Sequence, residues 1–146
     1  MKVTKKNYRF LTFLLFVCMS VSISAETIKG VPVHITSGDS FLMMIDWGKY
    51  INVKLYGVDA PDEGNTYFKD SQELLADYIN GKKLEVYVKS KTGSTITGEV
   101  IAKDRGNVNL YILREGMAKN TAENISSYKN AEKSAKNNNK GIWYQY

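Results

Sequence analysis

The chain has 146 residues, of which 43% are hydrophobic and 24% are charged, with only two prolines. This composition predicts one folded domain and excludes a disordered chain or a multi-span membrane protein. The formal net charge of +5 would suggest a polyanion-binding surface, but four of the basic residues lie together near the N-terminus. These four are Lys2, Lys5, Lys6 and Arg9.

The first 25 residues have the order of a secretory signal peptide. Basic residues precede an uncharged, mostly apolar run that is short for a membrane span and ends in the small residues Ser24 and Ala25. We therefore predict a signal peptide at 1–25 and an exported domain at 26–146, located in the periplasm, in the cell envelope or in the medium. An uncleaved N-terminal anchor is the alternative. After cleavage, 16 basic and 15 acidic residues remain, with no membrane span.

Cysteine and histidine chemistry is nearly absent from the chain. The only cysteine, Cys18, lies in the predicted signal peptide, and His34 is the only histidine. The mature domain therefore has no disulfide, no thiol nucleophile and no histidine-rich metal site. His34 sits within the alternating run 31–35, which favours a structural role in a strand.

Hydrophobic periodicity divides the domain into strands and helices. The predicted elements are, in chain order, strands at 31–35, 41–45 and 51–55, a helix at 66–80, a strand at 84–88, a strand reaching 102, and helices at 108–115 and 124–138. A hairpin turn is predicted at 46–49. This order indicates an α+β domain built on a small barrel or a strongly curved sheet.

Two carboxylates are predicted to converge at one rim of this sheet. Asp39 lies near the start of the second strand and Asp59 lies just past the end of the third. Antiparallel pairing brings those two ends together, and two such carboxylates suit Ca²⁺ or Mg²⁺. The alternative is that both residues are turn formers that bond their own backbone.

Five short motifs together resemble the staphylococcal-nuclease-like, or thermonuclease, family over roughly residues 28–143. They are Gly-Asp-Ser at 38–40, Leu-Tyr-Gly-Val-Asp-Ala-Pro at 55–61, Val-Asn-Leu at 108–110, Arg-Glu-Gly-Met-Ala at 114–118 and Lys-Gly-Ile-Trp at 140–143. Each motif is weak alone, but their order and spacing are specific. The resemblance implies a five-stranded OB-type β-barrel with three helices, which agrees with the predicted elements.

The resemblance also implies a calcium site and a group that activates water. By position, the Ca²⁺ ligands are the carboxylates of Asp39 and Asp59 and the backbone carbonyl of Ala60. The family's acid that positions or deprotonates the attacking water falls on Asp62, and the neighbouring Glu63 is the alternative.

The two phosphate-clamping arginines of the family are where this chain departs from it. The first falls on Lys54, which keeps a positive charge but lacks the planar guanidinium fork. The second, counted back from 108–109, falls on Ile96, with threonines at 95 and 97. Lys91 and Arg105 are the cations considered in its place, but both fall in predicted turns and neither matches the motif. Ser37 replaces the acidic residue that usually precedes the glycine of the first motif, so weaker metal binding and reduced or retuned activity are predicted.

The sequence leads to one main functional hypothesis and two alternatives. The main hypothesis is an exported, monomeric, Ca²⁺-dependent phosphodiesterase that hydrolyses single-stranded DNA or RNA by metal-assisted attack of water. The alternatives are a non-catalytic OB-fold module that binds nucleic acid or a protein partner, and a structural envelope domain. A basic stripe on the last helix either binds phosphates or is only a solvated face, and it consists of Lys129, Lys133, Lys136 and Lys140. A set of tyrosines on the barrel segments either stacks bases or packs in the core and rim, and it consists of Tyr50, Tyr56, Tyr67 and Tyr87.

Overall fold

A computed structural model of the protein describes residues 26–144. The predicted signal peptide at 1–25 lies outside the described residues, as do the last two residues of the chain. None of the helices in the described range combines the length and the apolar character that crossing a bilayer requires.

The described chain folds into a strand-rich barrel followed by helices. Its elements are β1 (Thr27–Ser37), β2 (Ser40–Asp46), β3 (Lys49–Leu55), β4 (Val58–Asp59), α1 (Phe68–Ile79), β5 (Leu84–Thr92), β6 (Thr95–Ala102), β7 (Gly106–Asn107), α2 (Val108–Arg114), β8 (Lys119–Asn120), α3 (Ser126–Asn137) and a 3₁₀ helix (Gly141–Trp143). The antiparallel order β3-β2-β1-β5-β6 is closed by parallel pairing of β3 with β6. This confirms the predicted α+β, OB-type fold with a five-stranded barrel and three helices.

Side chains alternate between the inside and the outside of the barrel, as the pleat of a strand requires. On β3, Val53 and Leu55 are buried, whereas Tyr50, Asn52 and Lys54 are exposed. The other core side chains of the barrel strands include Phe41, Met43, Leu84, Val86, Ile96, Val100 and Ala102. Because closure pairs both edge strands, the barrel has no open strand edge along the paired residues.

The three predicted helices are confirmed, and their ends lie within two residues of the predicted bounds. The side chain of Asn107 caps α2 by accepting a hydrogen bond from the backbone N–H of Leu110 at 2.9 Å. Three features were not predicted: the short strand β7, the ladder that pairs β4 with β8, and the 3₁₀ helix near the C-terminus.

The lysines predicted to form a stripe on the last helix are partly used inside the domain. Lys136 is 2.9 Å from Glu132 and lies over the Trp143 ring at 4.2 Å from its centroid. Lys140 contacts both carboxylate oxygens of Glu115 at 3.0 Å. These contacts hold the C-terminal segment against α2 and α3, so half of the stripe has a structural role.

Asn109, which is fully buried, joins α2 to the barrel. Its Oδ1 accepts a hydrogen bond from the backbone N–H of Val100 at 2.9 Å. Its Nδ2 donates to the carbonyl of Tyr56 at 2.9 Å and to that of Gly98 at 3.2 Å. One amide thus fixes β6 beside the end of β3, where the candidate site begins.

Replacing Asn109 with alanine should destabilise the fold strongly. The substitution leaves the N–H of Val100 and the carbonyl of Tyr56 without this partner, and each orphaned buried group costs roughly 1–3 kcal/mol. We expect Asn109→Ala to lower the free energy of unfolding by about 2–5 kcal/mol. Asn107→Ala, which removes only the cap of α2, should cost about 1 kcal/mol. Urea unfolding of both variants tests this, and equal losses would contradict the assigned role of Asn109.

Candidate active site

The turn between β1 and β2 brings the first motif against the rest of the site. The backbone N–H of Leu55 donates to the carbonyl of Asp39 at 2.8 Å, which ties this turn to the end of β3. A Cβ at Gly38 would lie 2.5 Å from the Ser71 hydroxyl and 2.9 Å from the Ala60 side chain. Glycine at 38 therefore permits α1 and the loop after β4 to approach the turn.

Asp39 is a buried carboxylate with almost all of its surface inside the protein, at 5% exposure. The hydroxyls of Ser37 and Ser40 donate to its Oδ1 at 2.7 and 2.8 Å. The backbone N–H of Ala60 donates to its Oδ2 at 3.2 Å. These hydrogen bonds fix the carboxylate, which would otherwise be costly to bury.

Lys54 reaches the same carboxylate from the outside of the barrel. Ser40 and Lys54 are cross-strand partners, and the Lys54 ammonium lies 3.6 Å from Oδ2 of Asp39. The side chain of Lys54 keeps 49% of its surface exposed. The structure thus brings together Asp39, Lys54 and Ala60, with a positive charge already drawn to the free side of the carboxylate.

The second motif places its carboxylates on the wall of a neighbouring cavity of about 740 Å³. Asp59, Asp62 and Glu63 all line this cavity, and all three are exposed. Lys119, the partner of Asp59 in the β4–β8 ladder, and Trp143 close the opposite side. Asp39 and Lys54 do not line this cavity, and Ala60 connects the two groups because it bonds Asp39 and also lines the wall.

Within residues 26–144, no group of three or more His, Cys, Asp or Glu side chains is close enough together to hold a metal ion. The predicted calcium ligands comprise two carboxylates and one backbone carbonyl, which is a set of oxygen donors that suits a hard cation. Oδ1 of Asp39 accepts hydrogen bonds from two hydroxyls, whereas Oδ2 accepts only the Ala60 N–H at 3.2 Å and also faces the Lys54 ammonium.

Ile96, the position that the sequence count gave for the second arginine, faces the barrel core and not the outer surface. Its side chain is buried in the barrel at 1% exposure, beside its partner Val53. The residue paired with Lys54 is Thr97, on the outer face of β6. Position 96 therefore faces the core, and positions 95 and 97 flank Lys54 on the outside.

Neither of the other cations considered from the sequence reaches this outer face. Lys91 pairs with Glu26 at 2.7 Å. Arg105 donates to the carbonyl of Asp77 at 2.8 Å and lies over the ring of Tyr78. Both are used in contacts elsewhere on the domain.

A cation that sequence reasoning missed is Lys89. A β-bulge between Val88 and Ser90 contains this residue, and Ser90 is the partner of Thr97. The Lys89 ammonium lies 6.0 Å from the ring centroid of Tyr56, the residue that follows β3. A bulge has no clear sequence signal, so the alternation rule could not place this side chain.

Behind this face, Tyr128 of α3 connects to Glu99 of β6. Its hydroxyl lies 3.2 Å from the Glu99 carboxylate, to which it donates. Burial, and then the nearby Glu99 charge, raise the pKa of Tyr128 well above its ordinary value. The phenol therefore stays protonated and serves as a hydrogen-bond donor that holds α3 against the barrel.

Comparison with protein families identifies the fold's relatives. The model of the staphylococcal nuclease homologue family matches residues 52–145. The chain belongs to this family. The match covers Lys54, Asp59 and Asp62 and begins after Asp39. The predicted family is therefore confirmed, and it is a family of nucleases, whose substrates are nucleic acids.

Individual relatives agree with the family assignment. A protein of Escherichia coli named an uncharacterized endonuclease is 29% identical over 111 residues, which is 75% of this chain and 71% of that protein. A Haemophilus influenzae protein of the same name is 29% identical over 86 residues, or 59% of this chain and 48% of that relative. These two proteins, both named endonucleases, are thus similar to the chain over 75% and 59% of its length.

Proposed function

We propose that this staphylococcal nuclease homologue is a Ca²⁺-dependent phosphodiesterase that hydrolyses single-stranded DNA or RNA. The observation that carries the proposal is the buried Asp39 carboxylate, fixed by three hydrogen bonds, with Lys54 at 3.6 Å. Asp39 accepts no hydrogen bond from its own backbone and is fixed beside the loop of Asp59 and Asp62, so a role in metal binding explains it better than a role as a turn former.

The residues that would hold Ca²⁺ are Asp39, Asp59 and the carbonyl of Ala60. Oxygen donors of this kind suit calcium, and Lys54 already shows that the free side of Asp39 attracts a cation. When bound, the ion supplies Lewis-acid polarisation of the phosphate and neutralises developing negative charge.

The chain's own side chains account for the remaining steps. Lys54 binds a non-bridging oxygen of the scissile phosphate, and Asp62 accepts a proton from the water that attacks phosphorus opposite the leaving oxygen. The bond between phosphorus and the leaving oxygen breaks as the new one forms, and that oxygen takes a proton from solvent water. Lys54 provides one point charge without the two-pronged geometry of arginine, and it also shares that charge with Asp39. Reduced or retuned activity relative to a site with two arginines is therefore part of the proposal.

We also propose that residues 1–25 direct export and are then removed, which leaves a monomeric domain at 26–146 outside the cytoplasm. N-terminal sequencing of protein recovered outside the cytoplasm tests the cleavage. A start at Glu26 or Ala25 supports it, and a start at Met1 contradicts it. Light scattering tests the proposed monomer, and a dimer mass would contradict it.

The nuclease proposal is tested by cleavage of a fluorescent single-stranded oligonucleotide in Ca²⁺ and in chelator. We expect cleavage in Ca²⁺ only, and none above the chelator background for Asp59→Asn. Asp59 is exposed and forms no ion pair within residues 26–144, so its amide variant should keep the fold. Calcium should also raise the thermal midpoint of the original protein and leave that of the variant unchanged.

Two results would overturn the proposal. Cleavage that is equal in chelator and in Ca²⁺ would contradict the calcium requirement. A folded protein that binds the oligonucleotide without cleaving it would favour the non-catalytic OB-fold module, in which the threonines at 95 and 97 replace a catalytic cation.

A further inference from the structure

A strip of outward-facing side chains runs along the barrel away from Lys54. On β3, Tyr50, Asn52 and Lys54 all face outward, because the intervening residues turn toward the core. Four residues of strand place Tyr50 roughly 14 Å from Lys54. The strip begins at the proposed phosphate position and ends at the hairpin between β2 and β3.

The hairpin end of this strip carries two exposed aromatic rings. Trp47, at the turn, is 96% exposed, and Tyr50 is 56% exposed. Flat rings on an accessible surface are the groups on which unpaired bases stack.

Between Lys54 and Tyr50, the strip and the residues beside it carry no carboxylate other than Asp39, and the only carboxylate at the hairpin end of the strip is Asp46. The residues that flank it are Ser40, Leu42 and Met44 on β2, and Thr95 and Thr97 on β6. At the hairpin, Lys49 is 3.8 Å from Asp46, and both side chains remain 72% exposed. A phosphodiester backbone would therefore meet lysine at each end and no carboxylate along the strand between them.

We infer that this strip, from Lys54 along β3 to Tyr50 and Trp47, binds several consecutive nucleotides of a single strand. Tyr50 and Trp47 stack bases that lie away from the scissile phosphate, and Lys49 contacts the backbone near them. The strip matches the length of about four stacked nucleotides. The inference rests on the proposed nuclease function, because the position of each bound nucleotide is counted from the scissile phosphate that Lys54 holds.

The tyrosine on another face of the barrel provides a matched control. Tyr87 is 39% exposed, but its strand partner is Glu99 and its hydroxyl lies 3.4 Å from Glu85. This ring has two neighbouring carboxylates, Glu99 and Glu85, of which Glu85 pairs with Lys29 at 2.8 Å, and it lies apart from Lys54. Tyr87→Ala therefore removes an exposed tyrosine of similar size without affecting the strip.

The test uses the fluorescence of Trp47 itself. The chain has two tryptophans, and Trp143→Phe removes the other without loss of a hydrogen bond, because Nε1 of Trp143 has no partner. An oligothymidylate of about eight nucleotides is titrated into this variant in chelator, so that no Ca²⁺-dependent cleavage occurs. We expect Trp47 emission to be quenched by the long strand and unaffected by a dinucleotide, which cannot reach from Lys54 to the hairpin.

The tyrosine variants, made in the Trp143→Phe background, then test the strip. Tyr50→Ala should raise the dissociation constant by about 5- to 150-fold, the range for loss of one stacked base, and Tyr87→Ala should leave it unchanged. Equal effects of the two variants, or binding without any change in Trp47 emission, would overturn the strip. Ca²⁺-dependent cleavage by the original protein, which retains Trp143 on the wall of the cavity, would leave the nuclease proposal standing beside those results. Tyr50-dependent binding by a protein that never cleaves would support the strip and overturn the nuclease.

Discussion

An arginine placed at Thr97 should raise the cleavage rate, whereas an arginine at the neighbouring Ile96 should unfold the protein. Thr97 is the cross-strand partner of Lys54 on the outer face of β6. A guanidinium there adds the two-pronged contact to phosphate that Lys54 cannot make. Cations that stabilise phosphoryl transfer increase the rate by ~10³- to 10⁵-fold. An arginine at 97 that is only partly aligned with the phosphate should therefore raise kcat at least ~10-fold.

Ile96→Arg has the opposite outcome because its side chain is inside the barrel. A guanidinium at a position with 1% exposure would be an unpaired buried charge, which costs several kcal/mol against a total stability of about 5–15 kcal/mol. We expect insoluble or unfolded protein, as judged by circular dichroism. Ile96→Val should remain folded and cost only about 0.5–1.5 kcal/mol.

The matched control for the first variant is Thr97→Gln, which has a long polar side chain without charge. Its rate should equal that of the original protein. If glutamine and arginine at 97 raise kcat equally, the gain does not come from a second cation. If Ile96→Arg folds and gains activity, the assignment of position 96 to the core is wrong.

Removing the carboxylate of Asp62 should reduce kcat by about 10²- to 10⁴-fold, the range for loss of a general base. Asp62 and Glu63 both line the cavity next to Asp59, so the sequence and the cavity leave two candidates for this role. The carbonyl of Asp62 accepts a hydrogen bond from the N–H of Asn65 at 3.0 Å, which fixes the turn that carries the residue. Asp62→Asn keeps the side-chain shape and removes only the basic oxygen.

Two companion variants separate the roles of these carboxylates. Glu63→Gln should change kcat by less than tenfold, because the base is retained. Asp62→Glu should increase kcat, because one added methylene brings the carboxylate closer to the water, and a displacement of about 1 Å can change the rate by ~10². A larger loss for Glu63→Gln than for Asp62→Asn would reverse the assignment. Single-turnover cleavage measures both losses without interference from product release.

The sequence was sufficient to predict the fold because its periodic signals are local. Alternation on the barrel strands and glycines at the ends of α1 and α2 marked most elements within a few residues. The β4–β8 ladder escaped prediction because two-residue strands have no periodicity of their own. The 3₁₀ helix depends on contact with Gly116, whose carbonyl accepts a hydrogen bond from the N–H of Ile142 at 2.9 Å.

The sequence predicted those residues of the candidate site that belong to continuous motifs. It did not predict which side chains on neighbouring strands share a face, because strand register determines that. The sequence placed Asp39 near the end of β3, and the structure supplies the hydroxyl and backbone donors that hold it. The position counted for the second arginine, 96, faces the core in the structure, whereas Lys54 lies on the outer face. Counting back from 108–109 crosses the turn before β7, and an error of one residue moves a side chain from the outer face of a strand to the core.

Closure of the barrel also determines when the domain can fold. The pairing of β3 with β6 joins residues separated by more than forty positions along the chain, with α1 and β5 between them. Contacts this distant in sequence give a high contact order, which slows folding into the range of milliseconds to seconds. A nascent chain that ends before β6 has β3 available and no strand to close against. The barrel therefore closes only after β6 has been made, however early β1, β2 and β3 are available.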